Sequence, residues 1–239
     1  MRYLFFDLQT FRRSTNNSAR GSAAVLIYER NQMIRTFLFD MGNVLVHFCH
    51  DRMCSQIGEL CGKSGPEIRT VLIESELQFK FERGWLSEDE FQAVLQRLLE
   101  ASFDRDELFR AGSDIFQPNT SIVPVLKALK AAGHRLVLLS NTSAPHLRFV
   151  QETYDVLEHF DDFVLSYEVG AVKPDAAIFE AALQKINCPP EECFYTDDIE
   201  EYVITARGFG LRAEVFTDTE NLLTHLESHG VNLPPTWAA

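Results

Sequence analysis

The sequence predicts an α/β protein in which a doubly wound parallel sheet carries an inserted all-helical segment. From residue 118 onward, short apolar runs typical of buried strands alternate with stretches whose apolar residues recur at helical spacing. This alternation is typical of a parallel sheet with helices on both faces. Between about residues 49 and 117 the pattern is helical and no strand is evident. That segment is expected to form a separate layer of helices.

The first strand is expected at residues 36–39, an apolar run that stops at Asp40 and is soon followed by Gly42. Asp is unfavourable in strands and costly to bury, so its position needs an explanation. For an isolated Asp-x-Gly the ordinary explanation is a turn. The alternative is a functional carboxylate placed at the end of the strand. The residues that follow the other strands decide between these two explanations.

The insert is expected to begin directly after this turn. Two serine–glutamate pairs have capping-box spacing and predict helix starts, namely Ser64 with Glu67 and Ser87 with Glu90. Amphipathic helices are expected over residues 67–84 and 88–101. Four aromatic residues of the insert are expected in its core: Phe79, Phe81, Trp85 and Phe91.

The remaining elements alternate regularly. Strands are expected at residues 135–140, 162–166, 193–196 and 212–216, and helices at 121–133, 144–154, 175–186, 199–210 and 217–230. Gly133 marks the end of the first of these helices, and Pro174 precedes the start of the third. Thr217 and Glu220 have capping-box spacing at the start of the last helix.

These patterns predict how the chain is organised. An α/β core of residues 33–48 and 118–230 is interrupted by the helical insert at 49–117 and followed by a tail at 231–239. Residues 1–32 are polar and lack periodicity, which predicts a flexible extension. Open α/β sheets bind ligands at the carboxyl ends of their strands. An insert that comes after the first strand is expected to lie there as a lid.

Composition excludes several classes of protein. The chain of 239 residues has a net charge of −13, which argues against a nucleic-acid surface because phosphate contacts need clustered Lys and Arg. It contains no apolar run near the ~20 residues of a membrane helix. Five cysteines without a secretory signal predict reduced thiols and a cytoplasmic location. The histidines and cysteines of residues 47–61 lack the paired spacing of zinc sites.

Polar residues follow four of the predicted strands, directly at the strand end in three cases and, for Lys173, in the segment YEVGAVKPD that comes after residues 162–166. They are Asp40, then Ser140-Asn141-Thr142, then Lys173, then Asp197-Asp198. Each alone could cap or begin a helix. The carboxyl ends of parallel strands lie at one edge of the sheet, so four such groups together predict a functional site.

Four segments carry a resemblance to the haloacid-dehalogenase-like (HAD) hydrolase superfamily over roughly residues 34–225: FLFDMGNVLV, LLSNTS, GAVKPDAAIF and FYTDDIEEYVITARGFG. The segment FERGWLSEDEFQAVL resembles the helical cap of the subfamily that places its cap after the first motif. Within this superfamily the chain resembles bacterial sugar phosphatases that act on α-glucose 1-phosphate.

The resemblance implies a Mg²⁺-dependent phosphatase that hydrolyses a small phosphorylated metabolite, with a sugar 1-phosphate as the finer expectation. Asp40 would be the nucleophile that forms an aspartyl-phosphate. Lys173, Ser140 and the backbone N–H of Asn141 would bind the phosphoryl group. The implied Mg²⁺ ligands are Asp40, the Gly42 carbonyl and Asp198, with Asp197 in support.

The chain departs from the superfamily pattern at two positions. Most of its phosphatases have a second Asp two residues after the nucleophile as general acid and base, and Gly42 stands there instead. Such a group contributes ~10²–10⁴-fold to the rate. The sequence leaves open what replaces it; His47, and less so His50, could supply the proton. Tyr202 stands where relatives have Asn or Asp, which puts part of the metal support in doubt.

Two other functions are compatible with these residues. A metal-free hydrolase that attacks carbon, as the 2-haloacid dehalogenases do, would need Asp40 but not the acidic pair Asp197-Asp198. A weakly catalytic protein that binds a phosphometabolite or a partner would explain Gly42 and Tyr202. The sequence does not predict an oligomeric state.

Overall fold

The computed structural model describes residues 33–233. The predicted extension at residues 1–32, and most of the predicted tail at 231–239, lie outside the described residues. In the described part of the chain, no helix combines the length and the apolar character needed to cross a bilayer.

Five parallel strands form the main sheet, and two more form a short antiparallel ribbon. In chain order the strands are β1 (Thr36–Phe39), β2 (Val46–Phe48), β3 (Phe116–Pro118), β4 (Arg135–Ser140), β5 (Asp162–Leu165), β6 (Cys193–Asp197) and β7 (Arg212–Val215). The main sheet has the order β5-β4-β1-β6-β7, so β1 is central. The predicted parallel α/β sheet is confirmed.

The two faces of the sheet pack into two separate apolar cores, as expected when side chains alternate along a strand. Phe37 and Phe39 of β1 belong to one core, which extends into the insert. Leu38 belongs to the other core, together with Val137 of β4 and Tyr195 of β6. Burial on both faces explains why these strands read as continuous apolar runs.

Eleven α-helices surround the sheet in the described residues. Those between β2 and β3 are α1 (His50–Cys61), α2 (Gly65–Arg69), α3 (Leu77–Glu82), α4 (Glu88–Leu99) and α5 (Arg105–Ser113). The others are α6 (Val123–Ala131), α7 (Ala144–Thr153), α8 (Ser166–Val169), α9 (Ala176–Lys185), α10 (Glu200–Gly208) and α11 (Thr219–Ser228).

The helical segment leaves and rejoins the rest of the chain through the β2–β3 ribbon, in which Val46 pairs with Pro118 and Phe48 with Phe116. The expectation that residues 49–117 contain no strand is therefore wrong at its end, where β3 begins at Phe116. A strand of three residues is too short to show a period of two in the sequence.

The continuous helix expected over residues 67–84 is also wrong. Helix α2 ends at Arg69, a π-helical turn spans Thr70–Glu74, and Glu76 adopts a left-handed conformation with φ 62° before α3 begins. The hydroxyl of Ser75 donates to the Val71 carbonyl, and such bonds compete with the helical ladder. Apolar periodicity continues across the break and hides it.

Helix caps agree with the sequence at two of three places. Ser64 and Ser87 form complete capping boxes with Glu67 and Glu90. At α11 the cap is Asp218 rather than Thr217, and its carboxylate accepts from the Asn221 N–H.

The aromatic residues of the helical segment divide into two groups. Phe81 and Phe91 are buried and stack with ring centroids 4.3 Å apart. Phe79 and Trp85 are 41% and 57% exposed, so their expected burial is wrong. The Arg83 guanidinium lies over both rings, with its Cζ 4.9 Å from each ring centroid.

Candidate active site

Asp40, Lys173 and Asp197 meet at the carboxyl edge of the sheet. Asp40 comes directly after the central strand β1, and Asp197 ends the neighbouring strand β6. Lys173 lies between α8 and α9, and its Nζ donates to Asp40 Oδ1 at 2.7 Å and to Asp197 Oδ2 at 2.6 Å. All three side chains are buried. The lysine therefore joins two strand ends in one ion-pair cluster.

Burial and the neighbouring charges shift both titrations. Burial raises the pKa of Asp40 to about 7; the Lys173 ammonium opposes the rise and Asp197 adds to it. Burial alone would lower the pKa of Lys173, but Asp197 and Asp40 outweigh it and raise that pKa. Lys173 is therefore charged at neutral pH, whereas Asp40 needs more positive charge nearby to be fully ionised there.

Asp198 adds a third carboxylate to this cluster. Asp40, Asp197 and Asp198 each offer one oxygen within 4.8 Å of the others. Once all three are ionised, they exceed the single ammonium by two negative charges. A divalent cation would balance that excess, and Mg²⁺ prefers oxygen ligands.

The two members of the acidic pair are bonded differently. The oxygens of Asp197 accept from Lys173, from the Tyr195 hydroxyl and from the Ile199 N–H. Asp198 is half-buried, lines the cavity and accepts from Asn43 Nδ2 at 2.9 Å. Asp40, Asp198 and the Gly42 carbonyl are therefore the groups that could hold Mg²⁺, with Asp197 fixing the lysine.

Asn141 positions the lysine through two bonds between their segments. Its Nδ2 donates to the Lys173 carbonyl at 3.1 Å, and the Lys173 N–H donates to Asn141 Oδ1 at 2.7 Å. Ser140, expected to bind phosphate, is 1% exposed and does not line the cavity, whereas Asn141 and Thr142 do. The position of Ser140 at the buried end of β4 explains why.

Gly42 faces an aromatic ring. A Cβ atom on Gly42 would lie 2.9 Å from Phe48 Cε1 and 3.7 Å from Asp40 Oδ2. A side chain at this position would therefore begin beside Asp40, where the resemblance in sequence leads us to expect an acid. In this chain the ring of Phe48 occupies the adjoining space.

The role suggested for His47 does not agree with its position. Strand alternation buries Val46 and exposes His47, which does not line the cavity. His50 and His146 do line it. Burial lowers the pKa of His50, and it lowers that of His146 to about 4. His146 Nε2 is engaged by the Gly112 carbonyl at 3.2 Å.

Tyr202 also lines the cavity and presents its ring to the lysine, with Lys173 Nζ 5.3 Å from the ring centroid. An aromatic face attracts an ammonium group. At this position the polar residue of the relatives is thus replaced by a group that contacts the lysine.

The cavity over Asp40 has a volume of about 360 Å³ and contains residues that the sequence did not single out. Asn43 is one, and its φ of 54° is a conformation that Asn tolerates better than most residues. Glu82 is another: it accepts from Gln78 Nε2 at 2.8 Å, and burial raises its pKa to about 7. The Gly-Asn dipeptide is typical of turns and could have indicated Asn43, whereas no local pattern distinguishes Glu82 from surface glutamates.

Comparison with known proteins agrees with this geometry. The family model described as haloacid dehalogenase-like hydrolase matches residues 34–210. Over 188 residues the chain is 28% identical to a drimenol cyclase of Aspergillus calidoustus, covering 77% of this chain and 34% of that protein. Over 183 residues it is 26% identical to a sesquiterpene phosphatase of Aspergillus oryzae, covering 76% of this chain and 89% of that protein.

The fold recurs in a solved structure. A HAD family enzyme from Bacteroides thetaiotaomicron, in complex with magnesium and inorganic phosphate, superposes with a TM-score of 0.68 at 22% identity. The match covers 79% of this chain and 98% of that one. The family match over most of the described chain confirms the hydrolase expected from the four motifs, and this protein belongs to the haloacid dehalogenase-like hydrolase family.

Proposed function

We propose that this protein is a Mg²⁺-dependent phosphatase that hydrolyses the phosphate monoester of a small metabolite through an aspartyl-phosphate on Asp40. The observation that carries the proposal is the buried Lys173 ammonium between Asp40 and Asp197, with Asp198 beside them. The name of the sesquiterpene phosphatase and the magnesium and phosphate held by the solved relative support the same reaction.

In the first step an Asp40 carboxylate oxygen attacks phosphorus, the bond from phosphorus to the alcohol oxygen breaks, and the departing alkoxide takes a proton from solvent water. Water then attacks the acyl phosphate, which releases inorganic phosphate and restores Asp40. Lys173 and the Asn141 N–H offset the charge on the phosphoryl oxygens. Mg²⁺, held by Asp40, Asp198 and the Gly42 carbonyl, would supply further positive charge there.

The two competing functions have less support from the site. Attack on carbon without a metal gives no reason for the half-buried Asp198 beside Asp40. A function limited to binding phosphometabolites does not explain why a buried lysine is bonded to Asp40. The finer prediction, a sugar 1-phosphate, is supported by the resemblance in sequence. The apolar lining of the cavity does not favour a sugar.

The test is the hydrolysis of p-nitrophenyl phosphate by purified protein, with Mg²⁺ and with excess EDTA. We expect turnover that EDTA abolishes and added Mg²⁺ restores. Full activity in EDTA would favour metal-free chemistry, and absence of turnover by folded protein with Mg²⁺ would favour a binding function.

A further inference from the structure

Only one end of the cavity is built for a phosphoryl group. Asp40, Asn141, Lys173 and Asp198 lie there. Within residues 33–233, Lys173 is the one lysine or arginine that lines the cavity. A site with one lysine and one divalent metal ion carries enough positive charge for a single phosphoryl group. A diphosphate chain would need more positive charge.

The rest of the wall is largely apolar and comes from three parts of the fold. The helical segment contributes Ile73 from the π-helical turn and Phe79 from α3. The β2–β3 ribbon contributes Phe48 and Phe116, and the segment before Lys173 contributes Val172. An alcohol attached to the phosphoryl group would therefore meet hydrocarbon on several sides.

Most polar side chains in this wall already have partners. His146 Nε2 is bonded to the Gly112 carbonyl, and Gln78 Nε2 donates to Glu82. The same holds at the phosphoryl end, where both amide atoms of Asn141 are bonded to the backbone of Lys173. A sugar would bring several hydroxyl groups into this space, and each hydroxyl left unpaired lowers affinity by roughly tenfold.

Two further observations indicate low polarity. Burial raises the pKa of Glu82 to about 7, and no cation of the described residues opposes the rise, as expected for a carboxyl group in an apolar wall. The apolar lining also continues outward, since Phe79 and Ile199 line the cavity and are nevertheless 41% and 42% exposed. The apolar part of a bound substrate that extends out of the cavity would cover both side chains.

We propose that the substrate is the phosphate monoester of an apolar alcohol, whose hydrocarbon part lies against Ile73, Phe79 and Phe116 while its phosphoryl group lies beside Asp40 and Lys173, at the polar end of the cavity. This inference rests on the proposed phosphatase function and adds the class of leaving group. Phe79 determines specificity at the mouth of the cavity.

The experiment compares n-alkyl phosphates of increasing chain length. The pKa of the leaving alcohol is almost constant along this series, so differences in kcat/KM report contact with the chain rather than chemistry. We expect kcat/KM to rise about fourfold per methylene until the cavity is filled. We also expect hexyl phosphate to exceed the monophosphate of 1,6-hexanediol and glucose 6-phosphate.

Matched variants locate the contact. Phe79 and Trp85 are both exposed rings at 4.9 Å from the Arg83 guanidinium, but only Phe79 lines the cavity. Phe79→Ser should reduce the gain per methylene, whereas Trp85→Ser should leave the series as in the wild type. Binding of the corresponding n-alkylphosphonates to Asp40→Asn should show the same dependence on length without turnover.

The outcomes separate this inference from the function beneath it. Turnover of p-nitrophenyl phosphate with a flat alkyl series, or with a preference for the hydroxylated esters, overturns the apolar substrate and leaves the phosphatase intact. A steep series that both serine variants reduce equally overturns the assignment to Phe79. Absence of turnover of every ester, together with absence of phosphonate binding, overturns both the function and its substrate class.

Discussion

At the scale of single residues, Asp40 must be both buried and ionised to act as a nucleophile. Burial opposes ionisation, and Lys173 offsets only part of that cost. The third carboxylate of the cluster, Asp198, adds a negative charge and an oxygen ligand that favour binding of a divalent cation. In the proposed reaction, a divalent cation beside Asp40 would lower its pKa from about 7 and would keep the carboxylate ionised near neutral pH.

Asp40→Asn is expected to lower kcat by about 10⁴-fold or more, because an amide oxygen is not a competent nucleophile. Thermal stability should be retained, since Lys173 keeps its bonds to Asp197 and to the Leu139 carbonyl. The measurement is p-nitrophenyl phosphate turnover beside a thermal melt. Asp175→Asn is the control: this carboxylate bonds Arg83, does not line the cavity and should be dispensable for turnover. Activity in folded Asp40→Asn would refute the assignment.

Gly42→Asp alone is expected to destabilise the fold, whereas the double variant Gly42→Asp with Phe48→Ala is expected to accommodate the new carboxyl group. The new Cβ meets Phe48 Cε1 at 2.9 Å, so the ring must move before a carboxyl group fits beside Asp40. We expect the single variant to lose stability and the double variant to recover part of it. In the double variant the activity on simple alkyl phosphates should rise within the ~10²–10⁴-fold range of a general acid. Additive effects of the two changes on unfolding free energy would contradict this coupling.

At the scale of elements, helix α7 of the sheet layer and helix α5 of the helical segment are joined through His146 and the Gly112 carbonyl. The ring of His146 also packs edge-on against Phe116 of the ribbon, at 5.3 Å between centroids. This one side chain of α7 therefore contacts two other elements beside the cavity, helix α5 and the β2–β3 ribbon.

The stability of that junction should depend on pH. Burial lowers the pKa of His146 from 6.5 to about 4, so the unfolded chain binds a proton more readily than the folded one. Stability is then complete above pH 6.5 and is lost as the pH falls toward 4, by about 2 kcal/mol between pH 7 and 5. His146→Phe should cost about 1 kcal/mol at pH 7 for the lost hydrogen bond. Urea unfolding at several pH values should show a smaller acid loss in the variant; equal losses would exclude this cause.

The sequence predicted elements well where local signals agree with packing. Ser64 and Ser87 cap their helices because a capping box needs only neighbouring residues. The break at Ser75 and Glu76 was missed because the apolar period runs through it, and so was β3, which exists only through its pairing with β2. At the site, Asp40, Lys173 and Asp198 come after strands and were predictable. The contacts of Phe48 and Glu82 depend on how distant elements pack, and no pattern in the chain encodes them.

At the scale of the whole molecule, a net charge of −13 is combined with a cluster that carries excess negative charge at its centre. Such a molecule should be stabilised by a cation that binds the folded state. The effect concerns the entire unfolding equilibrium and is measurable without any substrate.

Mg²⁺ at about 100 times its Kd should raise the unfolding free energy by about 2.7 kcal/mol, or Tm by roughly 5–10 °C for a chain of this size. Asp198→Asn should move the effect to higher Mg²⁺ concentration, because it removes one of the two carboxylates that line the cavity beside the metal position. Thermal melts over a Mg²⁺ titration, at constant ionic strength set with NaCl, provide the measurement. A Tm that does not respond to Mg²⁺ would exclude the site.

The ring of Phe48 beside Gly42 also has a consequence for descent. Losing an acid at position 42 takes one substitution, after which a large ring can settle into the vacated space. Regaining the acid then requires two changes in a fixed order, since the ring must shrink before the carboxylate can enter. The intermediate would have a void next to the nucleophile and no new proton donor, so selection meets the cost before the benefit. The glycine at position 42 would therefore persist even in a lineage whose substrate favoured an acid at that position.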